Sequence, residues 1–302
     1  MSMLPADLAR TLAAVVDEGT LEAAARRLHV TPSAVSQRIR QLEQRVGQVL
    51  LVRSKPARVT PAGSLIVRLA RQTALLEQDT LTALGGAVGA EERISIPIAV
   101  NADSLSTWFL GGLAPLSRDL PVVFDLHRDD QDFTAELLES GTVMAAVTSR
   151  AEPVAGCRVR PLGVMVYRAV ATPDYVARFL APAPEKDPDA DALVAAPLVD
   201  FDRKDDLQSR WLRDRGVDPA RPPRHYVPAS HDFAQAVSLG LGWGMLPDLQ
   251  AREALEEGAL VPIGGMSIRV PLYWQQWNLR SETLDAVADA IAARAAVALS
   301  PR

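Results

Sequence analysis

The sequence predicts an α/β protein in two parts: a small helix-rich head, then a larger body in which strands alternate with helices. Three observations lead there. Charge is segregated, since residues 1–60 hold nine Lys/Arg against five Asp/Glu and the rest of the chain holds 23 against 32. The head shows helical periodicities followed by a short hairpin pattern, whereas beyond residue 93 apolar runs of strand length take turns with helical ones. At 302 residues the chain has room for a small domain plus a larger one, or for three small lobes.

The head is read first. In HVTPSAVSQRIRQLEQRVG (29–47), Thr31 is a good N-cap and Pro32 suits the first helical turn, where its missing N–H costs nothing. Val35, Ile39, Leu42 and Val46 recur at helical steps as a buried stripe, and Ser33, Ser36, Gln37, Arg40 and Gln44 form a second, polar one. Upstream, TLEAAARRLHV opens on a Thr20 cap and buries Leu21, Ala24, Ala25 and Leu28, with alanines small enough for close helix approach. PADLARTLAAVVDEG reads as an earlier helix that packs Leu8, Leu12, Val15 and Val16 on this pair. Two short helices at a tight turn, the second polar outside, form a helix-turn-helix. Ordinary antiparallel helices with a solvated face would share that periodicity, but the next segment, QVLLVRSKPARVTPAG, argues against them. It supplies two short strands around Ser54-Lys55-Pro56 and clusters Arg53, Lys55 and Arg58, as a phosphate-reaching wing needs. On this reading Ser33, Ser36, Gln37 and Arg40 meet base edges, Arg40 pairing with guanine and Gln37 with adenine. Thr31, Arg53, Lys55 and Arg58 fix the register on phosphates.

The run AAARRLHVTPSAVSQRIRQLEQRVGQVLLVR, together with Thr60-Pro61-Ala62-Gly63, resembles the LysR-type transcriptional regulators. The resemblance covers the whole chain and is most specific over the first 65 or so residues. Within the family the chain looks most like the lysine- and arginine-responsive branch, on VTPSAVSQRI, VNADSLSTWF and AAVTSR. The last departs from the pattern by having Ala145-Ala146 where a glycine is expected nearby. The resemblance implies a periplasmic-binding-protein-like effector domain, a homotetramer that bends DNA, and control of a basic amino-acid exporter.

Composition narrows the classes further. A basic head on an acidic body is the asymmetry expected when only the head meets a polyanion. Cys157 is the only cysteine, which excludes an intramolecular disulfide and a thiolate metal cluster and suggests a reducing compartment. MSMLPADLAR lacks the charged-then-apolar pattern of a signal sequence, and no apolar run approaches a membrane span, so a cytoplasmic protein is expected. His127 and His231 are too isolated for a metal site, and neither a metal nor a cofactor is expected. Trp108, Trp243, Trp274 and Trp277 read as core, and GLGWG (240–244) as a tight lead-in to a strand rather than a dinucleotide fingerprint.

Three domains are expected: the winged helix-turn-helix at 1–60, a linker helix and hinge at 61–90, and an effector domain at 91–302. Within the last, lobe 1 takes about 91–162 and 267–302, and lobe 2 about 163–266. The linker reads as one helix from Pro61 to roughly Val88, ending in Gly85-Gly86, with GAVGAEER as hinge. Along it Ala62, Ile66, Leu69, Thr73, Leu76, Thr80 and Ala83 form a polar, small heptad seam. Burial against the protein's own body would also account for that seam; dimerisation is the favoured reading. In the body, RISIPIAV, PVVFDLHRD and VMAAVTS are strands separated by helices, as in a parallel sheet wound with helices. VMVYRAVATP leads into a second such set, with APAPEKDPDADA as a surface loop inside it. IRVPLYWQQW and the final alanine-rich helix return to complete the first lobe.

Ligands of open α/β lobes sit beyond the carboxyl ends of strands. VNADSLSTWF is such a place, with Asp103, Ser104 and Thr107 as candidates, Ser104 capping the helix and the amides of Ser104 to Ser106 free to hold a carboxylate. A helix cap and nothing more is the plainer reading of Ser104. Thr148 stands after another strand, and Asp129, Asp200 and Asp232 mark acidic strand ends and a helix start. Such a cleft between lobes suits a zwitterion with an extra cation, lysine or arginine. The reading is therefore a DNA-binding transcription regulator, not an enzyme, that pairs as a homodimer through its linker, binds double-stranded operator DNA and has RNA polymerase as a possible partner. The alternative is an architectural or replication-blocking DNA binder indifferent to small molecules. An enzymatic body is disfavoured by the lack of a Ser-His-Asp order, metal spacing or a phosphate loop.

Overall fold

The computed structural model describes residues 4–84, 93–128, 134–180 and 188–301. They form two compact units. The first comprises Met1–Val100, Leu113–Arg160 and Trp274–Ala290, and the second Asn101–Gly112, Pro161–Tyr273 and Ile291–Arg302. Of the residues that sequence order places in lobe 1, 101–112, 161–162, 267–273 and 291–302 fall in the second unit.

In the head, α1 (Ala6–Glu18), α2 (Leu21–Arg27) and α3 (Pro32–Val46) pack around Leu8, Leu12, Val15, Ala24, Ala25, Val35, Ile39 and Leu42. The caps are those the sequence indicates. Thr20 Oγ1 accepts from the Ala23 amide at 3.1 Å and Thr31 Oγ1 from the Ala34 amide at 3.2 Å. Each satisfies a donor that the first helical turn leaves orphaned. Strands β1 (Leu51–Val52) and β2 (Arg58–Val59) form the antiparallel wing, Leu51 opposite Val59.

Thr60 then caps α4 (Pro61–Ala83), accepting from the Gly63 amide at 3.1 Å and donating to the Val49 carbonyl at 2.7 Å. Gly63 is required by space, because a Cβ there would lie 2.1 Å from the Leu50 carbonyl oxygen. The helix has two working faces. Gly63, Val67, Ala70, Leu75 and Gln78 are buried within the first unit, while Leu65, Leu69, Leu76 and Leu81 are exposed. The expected seam divides between them: Ala62 and Ile66 pack on the head core, and Leu69, Leu76, Thr80 and Ala83 face out. Thr73 and Thr80 donate to the carbonyls of Leu69 and Leu76, four residues back, so the seam's hydroxyls are satisfied within the helix. The helix is described to Ala83 with Leu84 as its C-cap, and its expected glycine end and most of the hinge lie outside the described residues.

The body follows. In the first unit, β3 (Ile94–Val100) is flanked in parallel by β4 (Val122–Arg128) and β5 (Ala145–Thr148). Their connections include α5 (Ala102–Ser104), a π-helical turn (Leu105–Phe109), α6 (Leu110–Asp119) and α7 (Thr134–Glu139). The turn at Gly141, with φ of +73°, lies against α4, where a Cβ would come within 2.7 Å of the Arg68 Cβ. Strand β6 (Cys157–Ala171) has residues in both units and begins seven residues before the expected strand.

The second unit continues with α8 (Pro173–Phe179), α9 (Ala190–Ala195), β7 (Leu198–Asp200), α10 (Leu207–Arg213), β8 (Arg224–Tyr226), α11 (Ser230–Ser238), β9 (Gly244–Pro247), α12 (Asp248–Glu256) and β10 (Val261–Pro262). Here a uniformly parallel set was expected, and the pairing is mixed. β7 and β8 are parallel, but β9 and β10 run antiparallel to β6. The period of an apolar run reports that it is a strand, whereas direction depends on the crossover before it. Strand β11 (Ile268–Trp277) and α13 (Glu282–Ala298) carry the chain back through the first unit at Trp274–Ala290. The last three residues of the expected surface loop, 190–192, open α9, and residues 181–187 lie outside the description. Trp108, Trp243, Trp274 and Trp277 are fully buried, as expected, and Trp211 joins Trp243 with ring centroids 4.8 Å apart. Among the described residues no helix is long and apolar enough to cross a membrane.

Gly63→Ala places a methyl group on a backbone carbonyl that cannot yield like a side chain. The head should lose about 1–3 kcal/mol, read as a lowered Tm in thermal unfolding with the secondary structure retained.

Candidate functional site

Among the described residues, two places gather polar groups suited to meeting a ligand. The first is the outer face of α3 and the wing. Burial of Val35, Ile39 and Leu42 turns Ser33, Gln37 and Arg40 outward, with Ser36 half-buried beside them. Thr31 is exposed, but its hydroxyl is engaged as the helix cap and lies 2.9 Å from Ser33 Oγ. Arg53, Lys55 and Arg58 are exposed on the hairpin. Among the described residues, Arg40, Arg53, Lys55 and Arg58 form no ion pair, whereas Arg27 meets Asp17 and Glu18, and Arg10 meets Glu77. Glu43, on the inner side of α3, accepts from the amides of Leu50 at 2.9 Å and Leu51 at 3.3 Å. One carboxylate thus fixes the start of the wing relative to α3.

The second place lies in the second unit, where the segment after β3 meets β6, α11 and α12. Asp103 accepts from the Tyr167 hydroxyl at 2.7 Å and the Ser230 hydroxyl at 2.6 Å. Ser230 lies 2.9 Å from Ser106 Oγ, and the Gln250 amide nitrogen donates to both serines. Burial raises the Asp103 pKa against the lowering pull of its two hydrogen bonds, and burial together with Asp103 pushes the Tyr167 phenol well above its usual value. Asp205 is raised to about 6, chiefly by burial, despite backbone donors from Leu207 and Phe201, with Asp200 and Asp103 adding to it. Beside these groups the Ser104 hydroxyl and the side-chain amide oxygens of Asn101 and Gln250 are buried without a hydrogen-bond partner.

The expected effector residues fare differently. Asp103 is at the centre of this cluster, and Thr107 donates back to the Asp103 carbonyl at 2.5 Å. Ser104 does not cap. The helix begins three residues earlier than that cap would place it, with Asn101 at the N-cap position, so the Leu105 amide is engaged by the Asn101 backbone carbonyl at 3.0 Å and is not available to a carboxylate. Asp200 is buried and its carboxylate is held by Arg224. Asp232 is exposed in the first turn of α11. Thr148, in the first unit, accepts from the Arg150 amide at 3.1 Å. Asp129 lies outside the described residues. Tyr167, Asp205, Ser230 and Gln250 were not singled out from sequence. The usable signals were a lone tyrosine inside the apolar run VMVYRAVA and a serine opening a helix straight after a short strand.

Residues 6–64 match the bacterial regulatory helix-turn-helix protein, lysR family, and residues 90–296 match the LysR substrate binding domain. The chain belongs to the LysR family. It is 46% identical over 284 residues to the HTH-type transcriptional regulator LysG of Mycobacterium tuberculosis, covering 94% of this chain and 91% of that one. The lysine export transcriptional regulatory protein LysG of Corynebacterium glutamicum is 40% identical over 292 residues, at 96% and 98% coverage. Among solved structures, ArgP from Mycobacterium tuberculosis superposes with a TM-score of 0.82 at 43% identity, covering 98% of each chain. Full-length Corynebacterium glutamicum LysG with bound effector Arg gives 0.75 at 38% identity, covering 98% of this chain and 100% of that one. This LysR-family chain is a DNA-binding transcriptional regulator, as its relatives are, and not an enzyme. The architectural alternative gives way to the regulator.

For a LysR-family head, the Glu43 clasp sets how α3 and the wing present themselves together. Glu43→Ala leaves the Leu50 and Leu51 amides without their acceptor, and should cost about 1–3 kcal/mol in unfolding experiments. Binding to specific and random DNA should weaken together, because the displaced wing carries the exposed cations Arg53, Lys55 and Arg58, whose attraction to a polyanion does not depend on base sequence.

Proposed function

We propose that the regulator responds to a basic amino acid, lysine or arginine, and controls an exporter gene for such amino acids. The observation that carries this reading is the Asp103–Asp205 pair. Asp103 accepts only from neutral hydroxyls, and among the described residues neither carboxylate has a cationic partner, whereas Asp200 nearby has Arg224. Surplus buried negative charge is costly unless a cation arrives. The unpartnered Ser104 hydroxyl supplies a donor beside these acceptors, as a zwitterion needs. The regulation of lysine export by Corynebacterium glutamicum LysG, and its structure with bound effector Arg, support the same effector class. In this reading Asp103, Ser104, Ser106, Asp205 and Ser230 contact the effector, with Thr107 as a supporting position.

The DNA side of the proposal assigns base edges to Ser33, Ser36, Gln37 and Arg40, and phosphates to Thr31, Arg53, Lys55 and Arg58. The head takes 1–60, the linker 61–90 and the effector domain 91–302. The exposed Leu69, Leu76 and Leu81 face of α4 supports a homodimer, which would set two recognition helices on one DNA face. A homotetramer, contact with RNA polymerase and a cytoplasmic location complete the proposal.

Thermal melting against the twenty amino acids is the direct test: Tm rises with lysine or arginine and not with neutral residues. No shift with either overturns the effector assignment. Asp103→Asn should weaken effector binding by about 2 kcal/mol in calorimetry. Because Asp205 must ionise to receive a cation, affinity should fall about tenfold from pH 7 to pH 5, and Asp205→Asn should flatten that profile.

On DNA, Arg40→Ala should relax preference at one base position, worth about 1–3 kcal/mol. Lys55→Ala should weaken all sequences alike and reduce the salt dependence by about one counterion. Equal losses on specific and random DNA for Arg40→Ala would defeat the base-reading assignment.

A further inference from the structure

Arg71 stands about halfway along the described length of α4, with its side chain only 12% exposed. Its Nη1 donates to the backbone carbonyls of Gly141 and Thr142, the latter at 2.6 Å, in the turn before β5. Its Nη2 donates to the carboxylate of Asp17, in the last turn of α1. Asp17 in turn accepts from Arg27 of α2 at 3.1 Å, and Arg27 reaches Glu18 at 3.4 Å. A continuous set of charge-assisted hydrogen bonds therefore runs from the body, across the linker helix, into the scaffold of the DNA-binding head.

The other polar links of α4 each reach one side only. Arg10 of the head meets Glu77 across a half-exposed gap of 3.4 Å. Arg68 donates to the Gly156 carbonyl at 3.2 Å and lies over the Trp277 ring, and Asp79 accepts from the Thr283 hydroxyl at 2.6 Å. Among the described residues Arg71 is the side chain on α4 that bonds both the head and the body.

From this we infer that Arg71 is a positioning residue that couples the 141–142 turn to the orientation of the DNA-binding head. A guanidinium is a rigid planar fork, so two carbonyls on one nitrogen fix the direction in which the other nitrogen meets a carboxylate. If the turn withdraws, the fork loses two acceptors and its plane is free to turn, leaving Asp17 to Arg27. The turn leads through the buried Val143 and Met144 into β5, a fully buried strand whose far end is Thr148. A strand buried along its length shifts as a unit, which gives a displacement at Thr148 a route to Arg71. The functional consequence rests on the effector reading above, while the coupling itself does not.

The test uses the full-length protein with Arg71→Ala, Arg71→Lys and Asp17→Asn, and Glu77→Gln as the control that breaks a one-sided link. Operator DNA is selected from random sequence by the wild type, and its footprint is measured with and without arginine. Expected is that the three variants bind arginine within about twofold of wild type yet lose the arginine-induced change in footprint, while Glu77→Gln keeps it. Asp17→Asn or Arg71→Ala responding fully would overturn the inference. A second readout needs no effector: Asp17→Asn should speed hydrogen exchange at the Gly141 and Val143 amides by about threefold or more, although the substitution lies in the head. Unchanged exchange there overturns the coupling even if no amino acid binds the wild type, an outcome that would separately sink the effector assignment.

Discussion

Gly63, Val67, Ala70, Leu75 and Gln78 turn the same way along α4, and burying that face fixes a 23-residue rod within the first unit. At a rise of about 1.5 Å per residue such a rod is about 35 Å long and carries orientation over that distance. The head joins it at the start, through Gly63 against Leu50 and through Ala62 and Ile66 in the head core. The body joins it further on, through Arg68, Arg71 and Asp79. A helix of this mixed polarity would have little reason to persist alone in water. Its packed face supplies that reason and leaves the leucines of the other face available for a second chain.

The two polar sites obey opposite rules of hydrogen-bond closure. In the head, threonine caps and the Glu43 clasp close every local bond they touch, so the side chains left over point outward and are free to meet a polyanion. In the second unit the closure is incomplete. Asp103 and Asp205 hold negative charge against neutral donors, and several buried oxygens lack partners. A protein that leaves such groups open gives up stability there, and binding a complementary molecule returns it.

The head was legible in the sequence because its determinants are local. Thr20, Thr31 and Thr60 each cap the helix that follows by accepting from the amide three residues on, and the 3.6 period of Val35, Ile39 and Leu42 needs no knowledge of the rest of the chain. The second site was legible only along the segment from Asp103 to Thr107. Tyr167 and Ser230 meet it across 64 and 127 residues, and Gln250 reaches Ser106 across 144. No local period announces such a meeting. Where three capping residue types, Asn101, Asp103 and Ser104, stand within four positions, the helix start was misplaced because composition cannot rank them. Asp200 misled for a related reason: its partner Arg224 becomes a neighbour only once β7 and β8 pair.

Gly141 has a consequence of a different kind, for how this protein can change over generations. Its backbone occupies the left-handed region and its missing side chain is the space that Arg68 of α4 fills. Every single-base substitution that alters a glycine codon without ending the chain introduces at least a Cβ. The seam between linker and body therefore has no neutral neighbours in sequence space at this position. Drift in the way the rod seats on the body must begin on the arginine side, where a long chain can shorten or bend, and only afterwards can the turn follow.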